Sequence, residues 1–248
     1  VINIDQLLQS EDFKFIRHDI TQPLDLLKFP ELAHYEIEIE GIQEVYNCAT
    51  PTSYKEAKKF SEQTALTNSL GIKNTLDLAK QYSAKMVHLS SSAIYGDPLP
   101  EDNHFSEDYW GFINPVDERA SYNESKRFSE TLCKTYYDVH GVQTTIARVF
   151  ATYGPRMIMD EGRHVPDFIS AAIDNKDIII YGDKDVTTSF CYITDMVDGL
   201  MKLVQSNNLG PFNIGVDEEY KLSEVAQKVV DLVGSKSKIT FKKPLQGM

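Results

Sequence analysis

The chain has 248 residues, 42% apolar and 25% charged, a balance that fits one large globular domain or a main domain with a smaller lobe. Its formal net charge of −12 argues against a nucleic-acid or anionic-membrane surface, since either needs clustered Lys and Arg. No apolar run reaches the roughly 18–20 residues that cross a bilayer, and the opening VINIDQLLQSED has no basic n-region. Cys48, Cys133 and Cys191 are too far apart for a zinc spacing, so the expectation is a cytoplasmic protein with reduced thiols and no metal.

Taken in chain order, short apolar strands alternate with helical patterns. The strands are expected at Phe13–Arg17, Glu44–Cys48, Lys85–Ser90, Thr144–Phe150, Ile178–Tyr181 and Pro211–Ile214. Two long helices are expected at Glu62–Gln81 and Ser121–His140. The first carries Ala65, Ile72, Leu76 and Ala79 on one stripe, the second Phe128, Leu132 and Tyr136. Shorter helices follow at Val165–Asn175, Thr194–Ser206 and Leu222–Val233, with Ser223 as a start signal for the last. This alternation predicts an α/β fold, a doubly wound parallel sheet of Rossmann type with a smaller C-terminal lobe. Residues 1–153 read as the dinucleotide-binding domain, and 154–248 mainly as a substrate lobe interleaved with it. The first glycine is Gly41, so the Gly-rich loop that normally opens such a fold is not in this sequence. The expectation is that it belongs to a natural N-terminus preceding this chain.

The chemistry gathers around Tyr122 and Lys126, four residues apart and so on one face of the second long helix. An ammonium beside a phenol favours the phenolate and lowers a pKa of about 10 toward working pH. Such a Tyr can take a proton from an alcohol as hydride leaves for a nicotinamide. Tyr54 and Lys58 share the spacing, but nothing like the run Leu89–Gly96 precedes them. That run comes after an apolar strand and presents Ser90, Ser91 and Ser92 at the strand's C-terminal end. The plainer reading of those serines is a turn or helix cap.

These residues carry a resemblance. HDITQPL (18–24), LTNSLGIKNTLDLAK (66–80), SSSAIYGDP (90–98), SEDYWGFINPVDERASYNESKR (106–127), IARVFATYGPRM (146–157), EGRHVPDF (161–168) and GPFNIG (210–215) resemble the extended short-chain dehydrogenase/reductases that act on nucleotide sugars, the NAD-dependent epimerase/dehydratase family. The UDP-glucuronate decarboxylase branch is the nearest. The resemblance implies NAD as cofactor, a nucleotide-sugar substrate and a homodimer paired through the two long helices. It implies an enzyme that oxidises a sugar at C4 to a 4-keto species, followed by decarboxylation or by epimerase- or 4-dehydrogenase-like chemistry. It places Ser91, Tyr122 and Lys126 as the catalytic set. Asp19, Ile20, Ala49, Thr50, Thr67 and Thr152 would meet the cofactor with Tyr122 and Lys126, and Asn68 would support the active-site helix. Ser92, Asn74, Arg156, Arg163 and Tyr181 would meet the substrate with Ser91.

The chain departs from that pattern on the substrate side. Ala93 stands where relatives carry a proton-transferring Glu, Ser92 where dehydratases carry Asp, and Leu66 where relatives have Lys. Ala151 replaces a substrate-binding Asn, and Thr188 replaces an Arg that meets the diphosphate. Charge-assisted bonds to phosphate contribute on the order of 1.5–3 kcal/mol each. A non-catalytic homologue that retains the fold, or a reductase of a non-nucleotide ketone, are the alternative readings.

Overall fold

A computed structural model describes residues 2–52, 56–96, 104–206 and 208–243; Tyr54 lies outside them. In chain order the strands are β1 (Glu44–Asn47), β2 (Lys85–Ser91), β3 (Thr144–Val149), β4 (Thr152–Tyr153), β5 (Ile178–Tyr181), β6 (Thr187–Ser189), β7 (Cys191–Tyr192), β8 (Phe212–Ile214), β9 (Glu219–Lys221) and β10 (Ile239–Lys242). The α-helices are α1 (Ile37–Glu40), α2 (Ser61–Leu66), α3 (Ile72–Tyr82), α4 (Ala120–His140), α5 (His164–Ile173), α6 (Ile193–Gln205) and α7 (Leu222–Val233).

β1, β2, β3 and β8 form one parallel sheet in that order, with Glu44 opposite Lys85, Met86 opposite Thr144 and Ala147 opposite Phe212. The period of two along each strand sends alternate side chains to opposite faces. Met86 and Ile146 join Ile72, Leu76, Ala79, Cys133 and Tyr136 under α3 and α4. Val87 and Ala147 join Met196, Leu200 and Val204 under α6. The sheet is covered on both sides, as parallel sheets require. β8 and α6 belong to this layer although they come late in the chain, so the second half is threaded back through the first. The smaller lobe has its own apolar core, where Phe168 and Ala172 of α5 meet Leu222, Ala226 and Val230 of α7 over Ile178 and Ile180.

The long helix expected at 62–81 is α2 and α3 joined by a π-helical turn, Thr67–Gly71. An extra residue per turn rotates the faces of the two halves relative to each other, a device often found beside functional sites. Gly71 is needed within it, because a Cβ there would lie 2.9 Å from Ile20 Cγ2. α4 ends at Gly141 in the left-handed region (φ +72), whose N–H donates to Tyr137 O, an ending glycine favours.

Several expectations are corrected. Phe13–Arg17 is not a strand: it joins no ladder among the described residues, and an apolar-rich run without a hydrogen-bonded neighbour is not one. Phe128, assigned to the core stripe, is 49% exposed, whereas Leu78, Leu132 and Cys133 pack inward. Ser223 does not cap α7; its hydroxyl donates to Lys184 O. No helix among the described residues is long and apolar enough to cross a membrane.

Candidate active site

A cleft of roughly 550 Å³ opens where β2 and β3 end, within the range of small-molecule sites. Ser91, Ser92, Ala93, Tyr122, Lys126, Ala151, Thr152, Arg163 and Thr188 line it. β2 delivers the serines at its C-terminal end, and Ser91 Oγ accepts the Ala93 N–H at 3.2 Å, capping the 3-10 turn Ser92–Tyr95. Ser91 is therefore both the turn cap and a cleft residue. Across the cleft, the first turns of α4 present Tyr122 and Lys126.

Lys126 is only 2% exposed, and its Nζ donates to Leu89 O at 2.6 Å. Burial lowers its pKa to about 8, with Cys48, Cys133 and Glu130 pulling weakly in the opposite direction. An ammonium has three donors, so two are left to serve the cleft. Two hydrogen-bonded relays reach the backbone of this turn. Thr50 Oγ1 donates to Asn68 Oδ1 (3.0 Å), Asn68 Nδ2 donates to Ser125 Oγ (3.1 Å), and Ser125 Oγ donates to Tyr122 O (3.1 Å). The second relay passes through His88 and Ser129 to Lys126 O.

Beside the cleft a polar cluster holds the loop before α4. Arg148 and Glu130 pair through two contacts, Nη2–Oε2 at 2.9 Å and Nε–Oε1 at 3.1 Å, with both side chains about nine-tenths buried. Arg148 Nη1 also donates to Tyr95 Oη (2.8 Å) and Glu107 O (2.9 Å), while Asn213 Nδ2 donates to Phe105 O (2.7 Å). Arg127 donates to Ile94 O and Trp110 O. The loop crosses the 3-10 turn so closely that a Cβ on Gly96 would lie 2.0 Å from Phe112 O, and Gly96 has φ +65.

The remaining expected site residues are distributed unevenly. Thr50 lines the cleft; Ala49 lies beside it, its N–H donating to Asn47 Oδ1 at 3.2 Å. Thr67 is buried in the π turn. Asp19 accepts from the Thr21 N–H and hydroxyl, bonds that hold its carboxyl below the usual range. Asn74 is not at the cleft wall: its Nδ2 donates to Ile20 O at 2.8 Å, tying that segment to α3. Arg156 faces a smaller hollow with Asn3 and Thr152, donating to Asn3 O and Gln6 Oε1. Tyr181, on β5 in the lobe, is exposed and away from the cleft. Leu66 is 41% exposed on α2 and does not line it.

Sequence reasoning misses Glu118 and Arg119, which line the cleft just before α4, and Cys48 and Phe105 on other walls. Glu118 is the one carboxylate among the described lining residues. Cys48 is exposed at the cleft rim, yet the groups around its sulfur exclude enough solvent to push the thiol up, against Lys126. No group of three His, Cys, Asp or Glu side chains among the described residues could hold a metal ion. Thr50, Tyr122, Lys126 and Thr152 offer the hydroxyl and ammonium groups that suit a nicotinamide riboside, so the residues present fit that end of a dinucleotide. No Gly-rich turn for its diphosphate occurs in the sequence.

Residues 1–215 match the NAD dependent epimerase/dehydratase family. The chain is 38% identical over 240 residues to UDP-glucuronic acid decarboxylase 1 of Arabidopsis thaliana, covering 97% of this chain and 52% of that protein. To UDP-glucuronic acid decarboxylase 1 of Xenopus tropicalis it is 37% identical over 239 residues, 96% of this chain and 53% of the other. The chain thus spans about half the length of these curated relatives. Its fold also superposes on UDP-glucuronic acid 4-epimerase from Bacillus cereus, solved in complex with UDP-glucuronic acid and NAD. There the TM-score is 0.79 at 26% identity, over 99% of this chain and 73% of that one.

Proposed function

The chain belongs to the NAD dependent epimerase/dehydratase family, and from that premise we propose that it oxidises a UDP-linked uronic acid at C4 of the sugar. The observation that carries this reading is the meeting of Ser91, Tyr122 and buried Lys126 on one cleft at the C-terminal ends of parallel strands, where such folds bind ligands. Support for the substrate comes from the relatives, whose names share UDP-glucuronic acid although one decarboxylates and one epimerises it.

In this reading Ser91 orients the C4 hydroxyl, and the Tyr122 oxygen takes its proton. Lys126 keeps positive charge beside that oxygen and holds the ribose of the cofactor. NAD, when bound, supplies the acceptor and donor of hydride. Thr50 and Thr152 would flank it, with Asp19 and Ile20 toward its adenine, while Ser92 and Arg163 would face the nucleotide sugar. The fate of the oxidised sugar depends on its side of the cleft, where Ala93 offers no proton. A 4-keto sugar can lose an adjacent carboxylate as CO2, or turn and be reduced on its other face; the second course needs no further acid.

One assay separates these outcomes. Purified protein, with NAD+ and UDP-glucuronate, should yield either CO2 or a 4-epimer. Tyr122→Phe should abolish both. If epimerisation is the native course, Ala93→Glu should raise CO2 release, by up to about 10²–10⁴-fold where proton transfer is what the site lacks. Absence of any product, with no dinucleotide in mass spectra of the purified protein, would favour a non-catalytic homologue.

A homodimer is part of the same proposal. Leu66 and Leu70 stand 41% and 48% exposed around the π turn, and Phe128 and Tyr137 stand 49% and 36% exposed on α4. Apolar side chains left outward on two helices are what a four-helix contact buries. Light scattering should give twice the chain mass, and Phe128→Glu should shift it to the monomer. The exposed Cys48 and the buried Cys133 and Cys191, all unpaired, accord with a reducing compartment such as the cytoplasm.

A further inference from the structure

His88 lies in the middle of β2, 1% exposed, at a position where an apolar side chain would serve the core. Its ring is bonded at both ends. Nε2 is 2.7 Å from Ser129 Oγ, and Nδ1 is 3.4 Å from Asn47 Nδ2. The protons can be assigned by elimination. Ser129 Oγ sends its single hydrogen to Lys126 O at 2.7 Å, so it must accept from His88, which puts the ring proton on Nε2. Nδ1 is then an acceptor for the Asn47 amide, and Asn47 Oδ1 accepts the N–H of Ala49 at 3.2 Å. Burial, with Lys126 nearby, drives the ring's pKa well below the ordinary histidine value, which agrees with a neutral ring that has one donor and one acceptor.

The relay therefore runs in one sense from Ala49 N–H to Lys126 O. It parallels the relay from Thr50 to Tyr122 O. Two adjacent residues at the exit of β1 are thus connected, through separate side-chain chains, to the main-chain carbonyls of the two residues that carry the proposed chemistry. The Lys126 turn is also fastened to the neighbouring residue of β2 by Nζ on Leu89 O.

We propose that His88 is a positioning residue, which sets the Lys126 turn of α4 in register with the Ala49–Thr50 turn and so couples cofactor contact to the placement of the reactive pair. This rests on the nicotinamide reading above and deepens it. A packing role would need only volume, whereas this role needs a donor toward Ser129 and an acceptor toward Asn47.

The test has a part that requires no variant. Long-range ¹H–¹⁵N spectra of the unaltered protein should show His88 as the Nε2–H tautomer at neutral pH; an Nδ1–H ring would overturn the relay. In variants, calorimetric titration of NAD+ is measured with kcat and melting temperature. His88→Leu breaks both ends and should weaken NAD+ binding and lower kcat, each by about 10-fold or more, given that a misplacement of about 1 Å can cost 10²-fold. Ser129→Ala breaks the same chain, so adding it to His88→Leu should bring little further loss. His88→Gln can keep a donor toward Ser129 and should retain kcat within about 3-fold while still binding NAD+ more weakly. A folded His88→Leu protein that binds NAD+ and turns over within twofold of the unaltered one would sink the proposal. Failure of the unaltered protein to bind NAD+ would instead remove the nicotinamide reading, leaving the tautomer as a separate result.

Discussion

The chain holds two cores made of different materials. In the smaller lobe, Phe168, Ala172, Ile178, Ile180, Leu222, Ala226 and Val230 meet with no polar group among them. Beneath the cleft, the face of the sheet under α4 carries Asn47, His88, Ser90 and Arg148, and α4 brings Lys126 and Ser129 against it, all buried. An apolar core tolerates exchanges of similar volume. A polar one is satisfied only when each donor finds its acceptor, so it fixes positions rather than adding much stability. The lobe is built to hold a shape, and the sheet end is built to hold particular atoms in place.

The sharpest way to break the polar core is Glu130→Ala. It leaves Arg148 buried without its carboxylate and removes Oε1, to which the Ser90 hydroxyl donates, and loss of one partner of a buried pair costs about 3–5 kcal/mol. Denaturant unfolding should show a loss of that size. The double variant Glu130→Leu with Arg148→Met should recover most of the stability, because apolar replacement of a whole pair is often close to neutral. It should not recover turnover, since Arg148 also holds Tyr95 Oη and Glu107 O. Recovery of both would mean that the cluster is only filling.

Leu222→Ala, the matching test in the lobe, should cost about 2–5 kcal/mol by removing a fully buried side chain. Here Leu222→Met should restore nearly all of it, because volume is what the site requires. KM for the nucleotide sugar is expected to move more than the binding of NAD+. An equal effect on the two would contradict the proposal that the lobe serves mainly the substrate.

The same contrast explains what is legible in the sequence. The lobe's helices and β5 are found from apolar spacing, because period and burial coincide there. That Ser91, Tyr122 and Lys126 share one cleft is legible because they stand at a strand end and on one helix face in a recognisable run. His88 and Arg148 are not, since each interrupts an apolar strand in a way that hydropathy reads as a weaker strand rather than as a partnered core residue. Phe128 is misplaced because a row at i, i+4, i+8 drifts around a 3.6-residue helix, so Leu132 and Tyr136 pack inward while Phe128 comes out 49% exposed. Asn74 and Tyr181 fall outside the cleft wall for different reasons: their residue types suit a ligand, but the fold uses one on Ile20 O and leaves the other out on the lobe. The strand expected at 13–17 has the right residues without a neighbouring ladder among those described, and pairing is a property of the fold rather than of the segment.

Lys126 offers the smallest effect and the most specific one. Its pKa falls to about 8 in the folded chain because burial disfavours the charge, against about 10.4 when unfolded. Between those values the unfolded chain binds more protons at this group, so its contribution to folding stability rises with pH across that window, against the cysteine thiols, whose raised pKa values act in the opposite sense. From pH 7 to pH 9 the gain from this one group is about 1 kcal/mol by linkage. Turnover should move the other way, falling as pH climbs through about 8, because a neutral amine no longer favours the Tyr122 phenolate. Opposite slopes for stability and activity over the same pH range are the expected signature, measured by denaturant unfolding and by initial rates on the same samples. Lys126→Met should remove this group's share of the stability slope, read as the difference between the two proteins, while lowering turnover at every pH. If turnover instead rises through pH 8, the ammonium is not what the chemistry uses, and the buried charge under the cleft is there for the fold alone.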